Sequence, residues 1–183
     1  MRVVIVCLAA CSFERGTVLD GGPPGDVAPT DMATDAPVSL LIEAEAPTTT
    51  ISADGYHAWT PELLLGGYTG TGYITALPHD FNQCIEPEQT WCGAYNTYSI
   101  EIPVTGMYRV TVRYFSTSGA TDSVHWYLGA AAIDENLNPD MTPVWTDDVD
   151  PIAVDVRAGH AELGLRMRET GTSIDSIRLD LVF

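Results

Sequence analysis

The 183-residue chain has no lysine, and its eight basic side chains are all arginine, set against 25 aspartates and glutamates for a formal net charge of -17. That balance excludes nucleic acid as a partner, because gripping a phosphate backbone requires a basic footprint. Long apolar runs are missing too: the one near the N-terminus, residues 3–10, is too short to cross a bilayer as a helix. Histidine is scarce, and His57, His79, His125 and His160 are scattered without metal-ligand spacing. No G-x-S-x-G elbow is present, no helical periodicity stands out and no internal repeat is found. Together these absences argue against an enzyme acting alone, and no catalytic residues are expected.

What is present reads as β-structure. Apolar and polar residues alternate, and Gly, Pro, Asp and Asn punctuate the intervals, which predicts strands over 39–46, 98–102, 107–116, 123–130, 151–157, 161–168 and 174–183. The clearest is 107–116, where Tyr108, Val110, Val112 and Tyr114 share a buried face and Arg109, Thr111 and Arg113 the other. A Pro-Val-Thr-Gly turn at 103–106 joins it to the strand before it. Short, regularly spaced strands of this kind favour a β-sandwich. Residues 11–38 are dense in Gly, Pro, Asp and Thr with no apolar periodicity, and are expected to form a disordered, extended tether ahead of one β-rich domain, 39–183. Acidic residues crowd the stretch 134–150, which reads as a solvated loop.

The order Leu8-Ala9-Ala10-Cys11 resembles the lipobox of bacterial lipoproteins, in which cleavage before the cysteine is coupled to diacylation of its thiol. The resemblance implies a signal peptide at 1–10, lipidation of Cys11, and a membrane link through the lipid anchor only. Ser12 after the cysteine is similar to the sorting signal of outer-membrane lipoproteins. The leader has a lone Arg2 and is shorter than the usual 15 to 30 residues, departures that a start codon farther upstream would explain. A chance Cys11 on a short cytoplasmic N-terminus is the plainer alternative. Cys7 would leave with the leader, so Cys84 and Cys92 remain to pair in an oxidising compartment, where closing so short a loop contributes about 2 to 3 kcal/mol. Metal binding through the two thiolates is the alternative, and no second cysteine pair or histidine cluster lies near them in sequence.

Several segments, in order, resemble the β-jelly-roll carbohydrate-binding modules of families 6 and 35, within the galactose-binding-like superfamily. They are Ile42-Glu43-Ala44-Glu45, the Gly-rich aromatic segment from Gly67 to Ile74, Tyr98 to Pro103 followed by Gly106-Met107-Tyr108-Arg109-Val110 and Arg113-Tyr114, then Trp145, the Ala158-Gly159 turn, and Gly171 to Ile177. The resemblance implies an all-β jelly roll, a non-catalytic role in binding a polysaccharide or other glycan, and a monomer.

Two candidate sites follow. Glu43 and Glu45 lie two apart on a strand, so both carboxylates project from one face. Asp175 has the parity of Ile177, Leu179 and Leu181, which points its carboxylate toward the core, where a charge must be paired or bind a metal. Three converging carboxylates suit Ca²⁺, and in the resembled families the first-strand acids and closing-strand aspartate hold a structural calcium. A solvated acidic edge is the alternative. For the ligand, such modules stack sugars on loop aromatics. The resemblance assigns that role to Trp145 and Tyr73, while Trp91 and Tyr95 flank the disulfide loop. Core packing is the competing role for each, and Tyr108 and Tyr114 are assigned to the core. Ser173 stands where the families often place a sugar-binding asparagine, and the insertion 79–93 is placed to reshape or cover the usual cleft. The competing function is a protein-interaction or adhesion module, with Trp91, Trp126 and Trp145 as exposed anchors. A small polysaccharide-degrading enzyme, which needs two placed carboxylates, is the weaker rival.

Overall fold

The computed structural model describes residues 37–80, 83–84, 91–129 and 143–182, all in strands, turns and loops without a helix among them. The leader, Cys11, the tether as far as residue 36, and the acids Asp134 to Asp140 lie outside the described residues. Among the described residues ten strands form: β1 Ser39–Glu43, β2 Thr49–Ser52, β3 Ala58–Glu62, β4 Tyr73–Leu77, β5 Ala94–Ile102, β6 Gly106–Phe115, β7 Val124–Leu128, β8 Thr146–Val156, β9 Gly159–Met167 and β10 Ser173–Leu181. They build two antiparallel sheets, one ordered β3-β4-β10-β6-β8 with β1 also on β10, the other β2-β5-β9-β7. This is the expected all-β sandwich.

The alternation in β6 does what its sequence predicts: Tyr108, Val110, Val112 and Tyr114 are all buried. They meet Ile174, Ile177 and Leu179 of β10 and, from the other sheet, Tyr98, Leu163, Leu165 and Met167 in one core. Each such side chain contributes about 1.5 to 3 kcal/mol on burial. Strand β3 carries Pro61, which lacks an N–H for a ladder, and β3 is an edge strand accordingly. Strand β2 is exposed throughout, so no alternation marks it in the sequence.

Strand β8 starts earlier than its sequence suggests. Its register against β6 shifts between the pairs Thr111–Val149 and Arg109–Ala153, so Asp150, Pro151 and Ile152 form an irregularity that reads as a loop. Asp150 there is fully buried, not solvated. Its carboxylate accepts bonds from Trp126 Nε1 at 3.0 Å and from the Ile152 amide at 2.7 Å. Trp126 is thereby corrected from an exposed anchor to a core residue, 2% exposed. Cys84 and Cys92 are disulfide-bonded, with Cα atoms 5.8 Å apart. The Cys84 amide donates to the Arg168 carbonyl, which ties the disulfide loop to the end of β9.

Candidate functional site

The outer face of the four-stranded sheet is built by β-parity. In β9, Ala161, Leu163, Leu165 and Met167 turn inward, so His160, Glu162, Gly164 and Arg166 turn outward. Opposite them stand Tyr95, Thr97, Ser99 and Glu101 of β5, and His125 and Tyr127 of β7. Gly164 lies between Thr97 and Tyr127 in the register. A Cβ on Gly164 would meet the Tyr127 ring at 1.7 Å, so the ring rests directly on the glycine backbone. The half-buried Tyr95 ring runs nearly parallel to it, 19° off with centroids 5.8 Å apart. Arg166 covers Tyr95 at 5.3 Å from its centroid. Tyr127 donates its hydroxyl to Glu162 at 2.7 Å, and Ser99 and His160 meet at 3.4 Å. The result is an aromatic shelf with polar groups beside it, the arrangement that receives the apolar face of a sugar ring. Burial pushes the Tyr95 hydroxyl above its ordinary pKa, with Glu162 acting in the same direction.

Of the aromatics expected to bind ligand, Tyr95 belongs to this shelf, whereas Tyr73 and Trp145 lie in the other sheet and pack on each other. Their rings meet edge to face, 5.2 Å apart, and Trp145 also contacts Phe115 at 5.6 Å. Tyr73 is 2% exposed, and its hydroxyl accepts the Leu65 amide. Trp145 donates Nε1 to the Gly66 carbonyl at 3.0 Å and lies against Gly67. This cluster props up the 63–72 loop. Ser173 is close by, bonded to Thr75 at 2.9 Å, and with Tyr73, Leu65, Leu77, Phe115 and Gly171 it lines a mostly apolar depression of about 270 Å³. Trp91 is 68% exposed beside Cys92. The structure thus brings Tyr73, Trp145 and Ser173 together and leaves Trp91 and Tyr95 elsewhere.

The acidic cluster sits where β1 and β4 share one edge of β10. The register of β10 against β6 shifts between Ile174 and Ser176, which makes Asp175 an extra residue and breaks its parity with Ile177. Its carboxylate is fully buried but directed to Arg113, on the outward side of β6, rather than into the core as parity implied. Arg113 Nε donates to it at 2.8 Å, and the Thr69 amide and hydroxyl at 2.9 to 3.1 Å. Glu45 accepts the Thr71 amide and hydroxyl through one oxygen, while its other oxygen and Glu43 Oε2 are buried with no hydrogen-bond partner. Burial raises the Glu43 pKa, and the charges of Glu45 and Asp175 raise it further. A Cβ on Gly70, whose φ is +62°, would come within 2.5 Å of Glu43 Oε2, so a larger residue there is strained and pushes that carboxylate aside. Two buried, unpartnered carboxylate oxygens are hard donors of the type Ca²⁺ takes. Among the described residues no three His, Cys, Asp or Glu side chains gather as a metal-ligand set.

Tyr127 and Arg166 escaped the reading of the sequence, although a lone glycine inside a strand pattern marks a close approach, and Gly164 is one.

No protein-family profile matches the sequence, and no curated protein matches it. Solved structures do. The chain is similar to a GH26-CBM35 β-(1,4)-mannanase from Podospora anserina at 22% identity and TM-score 0.58, over 79% of this chain and 28% of that one. It is similar to a CBM35 from Paenibacillus barcinonensis at 23% identity and TM-score 0.55, over 76% and 97%. A module from Cellvibrio mixtus lichenase 5A, in complex with cellotriose, matches at 17% identity and TM-score 0.53, over 79% and 98%. The described domain therefore has the β-sandwich jelly-roll fold of the family 6 and 35 carbohydrate-binding modules.

Proposed function

We propose that the domain is a non-catalytic glycan-binding module whose sugar-contacting surface is the outer face of the four-stranded sheet. The Tyr127 ring, laid across Gly164 and nearly parallel to Tyr95, carries this reading. The fold supports it, since one structure of that fold holds cellotriose. The surface is a shelf rather than a closed cleft, which suits holding a glycan chain and not cleaving one.

Gly164→Val provides the test. Gly164 lacks the positive φ that would strain a substituted residue, and valine suits a strand, so the sandwich should persist while the new side chain lifts the Tyr127 ring. Binding on a glycan array and by calorimetry is expected to fall about tenfold or more, with the melting temperature little changed. Full retention of glycan binding would reject the shelf as the site. A protein-interaction module is the second reading, favoured by Trp91 and Tyr56, 68% and 62% exposed. A glycan array without signal, together with a protein ligand lost on Trp91→Ala, would establish it.

Calcium is the second part of the proposal. Glu43 and Glu45 would hold the ion, which would neutralise two partly buried carboxylates and stabilise the strand edge. At a hundredfold excess over its dissociation constant, calcium is expected to add about 2.7 kcal/mol, or roughly 5 to 10 °C in melting temperature. Glu43→Gln should remove that increment, and an equal gain in the variant would place the ion elsewhere. Lipidation of Cys11, with display at the outer membrane, completes the proposal and is checked by mass spectrometry of the N-terminal peptide.

A further inference from the structure

Three of the chain's eight arginines, Arg109, Arg113 and Arg178, stand on the outer face of the neighbouring strands β6 and β10, on the opposite sheet from the aromatic shelf. Two of them are fixed from behind. Arg113 gives Nε to the buried Asp175 at 2.8 Å and an outer nitrogen to the Gly67 carbonyl at 3.2 Å, and Arg178 gives Nε to Asp180 at 2.9 Å. Their remaining ends converge on one acceptor, Asp147, at 3.4 and 3.5 Å. Charge-assisted contacts of this type close to about 2.7 to 2.9 Å when geometry allows. Asp147 sits in register opposite Arg113 on β8, and its short side chain spans both guanidinium ends without reaching close contact with either. A depression of about 230 Å³ opens there, with Thr111 and Ser176 among the residues lining it and Leu41 at its apolar side.

We propose that this depression binds an oxyanion carried on a hydroxylated ligand, the sulfate ester or carboxylate of a sugar, and that Asp147 is a built-in competitor which the ligand displaces. The two guanidinium ends supply paired donors, Thr111 and Ser176, 3% and 4% exposed, form the polar floor beneath them, and Asp147, 40% exposed, has solvent into which it can swing. The chain's net charge of -17 opposes approach of an anion at long range. Screening over about 8 Å at physiological salt confines that opposition, so the contact is short-range and weak in the native protein. The inference does not depend on the aromatic shelf.

Glucose 6-sulfate, glucuronic acid and glucose, each titrated into the protein and followed by the NMR signals of the Arg113 and Arg178 side chains, test it. Asp147→Asn is expected to tighten binding of at least one charged sugar about five- to tenfold and to leave glucose unchanged. Arg178→Ala, at a side chain 40% exposed, is expected to abolish charged-sugar binding with the fold intact by melting temperature. The tighter of the two charged sugars identifies which oxyanion the site prefers. If Asp147→Asn tightens neither, or if glucose shifts the same signals as strongly, the arginines are cross-strand ion pairs and the proposal fails.

Discussion

Arg113→Ala is expected to lower the free energy of unfolding by about 3 to 5 kcal/mol, because it leaves the fully buried Asp175 carboxylate without its only counter-charge among the described residues. Thr69 would still donate its amide and hydroxyl, so part of the carboxylate remains solvated by dipoles. The loss also frees the Gly67 carbonyl, which Arg113 holds at 3.2 Å, and loosens the loop that Trp145 props. Urea unfolding of the single variant, of Asp175→Asn and of the double variant separates these contributions. The double variant should recover more than half of the loss if the uncompensated charge dominates. A cost below about 1 kcal/mol for Arg113→Ala would mean that Thr69 and entering water suffice.

The same region shows why part of the site was illegible in the sequence. Parity arguments hold only while a strand keeps its register, and β10 changes register at the residue whose direction mattered. Ile177 and Leu179 point inward as alternation implies, but Asp175, on the other side of the shift, meets Arg113 instead. Strand β8 conceals itself in a similar way: Asp-Val-Asp-Pro is a turn composition, and the irregularity that accommodates Pro151 also buries Asp150 against Trp126. That pairing kept Trp126 from looking like a core residue, since an indole is usually buried only where its N–H finds an acceptor, and the acceptor lay 24 positions away. Where no irregularity intervenes, as in β6 and β9, alternation specified the core correctly. Fold class was legible from many such strands together. The disulfide was legible from cysteine arithmetic. The shelf was half legible, because Tyr95 was singled out while its partner Tyr127 becomes visible only once β7 is set beside β9 and Gly164 is seen as the gap between them.

A second large effect concerns pH. Asp122 is 6% exposed at the end of the β6–β7 loop, beside Glu169, itself 2% exposed. Burial, then hydrogen bonding to Glu169 and its charge, raise the Asp122 pKa from 3.8 to about 6. Glu169 already accepts the Asp122 amide at 3.0 Å, the Ser123 hydroxyl at 2.6 Å and the Gln83 amide at 2.9 Å, so a protonated Asp122 adds a donor where an ionised one adds a second charge. An acid whose pKa is higher in the folded state stabilises the fold below its unfolded value, and that stability is lost as pH rises through the folded value. The interval from 3.8 to about 6 corresponds to about 3 kcal/mol. His57 adds to the same trend. Burial lowers its pKa, but Asp54 at 2.6 Å and Asp80 at 3.2 Å outweigh this and raise it, so its contribution also disappears toward alkaline pH. Asp54 works in the opposite sense: burial is outweighed by bonds from His57, Tyr56 and Gly93 that hold its pKa well below the ordinary value, so its contribution is lost only on strong acidification. Stability is therefore expected to be greatest near pH 4, to fall between about pH 4 and pH 6 as Asp122 ionises, and to fall further above about pH 6.5 as His57 loses its proton. Asp122→Asn keeps an N–H to offer Glu169 and cannot ionise. Its urea midpoint should match the native protein near pH 4 and exceed it near pH 8 by the equivalent of about 2 to 3 kcal/mol. Parallel curves for the two proteins across that range would show that Asp122 ionises without disturbing Glu169, and the decline would then belong to the other groups of raised pKa, His57, Glu43 and Asp148.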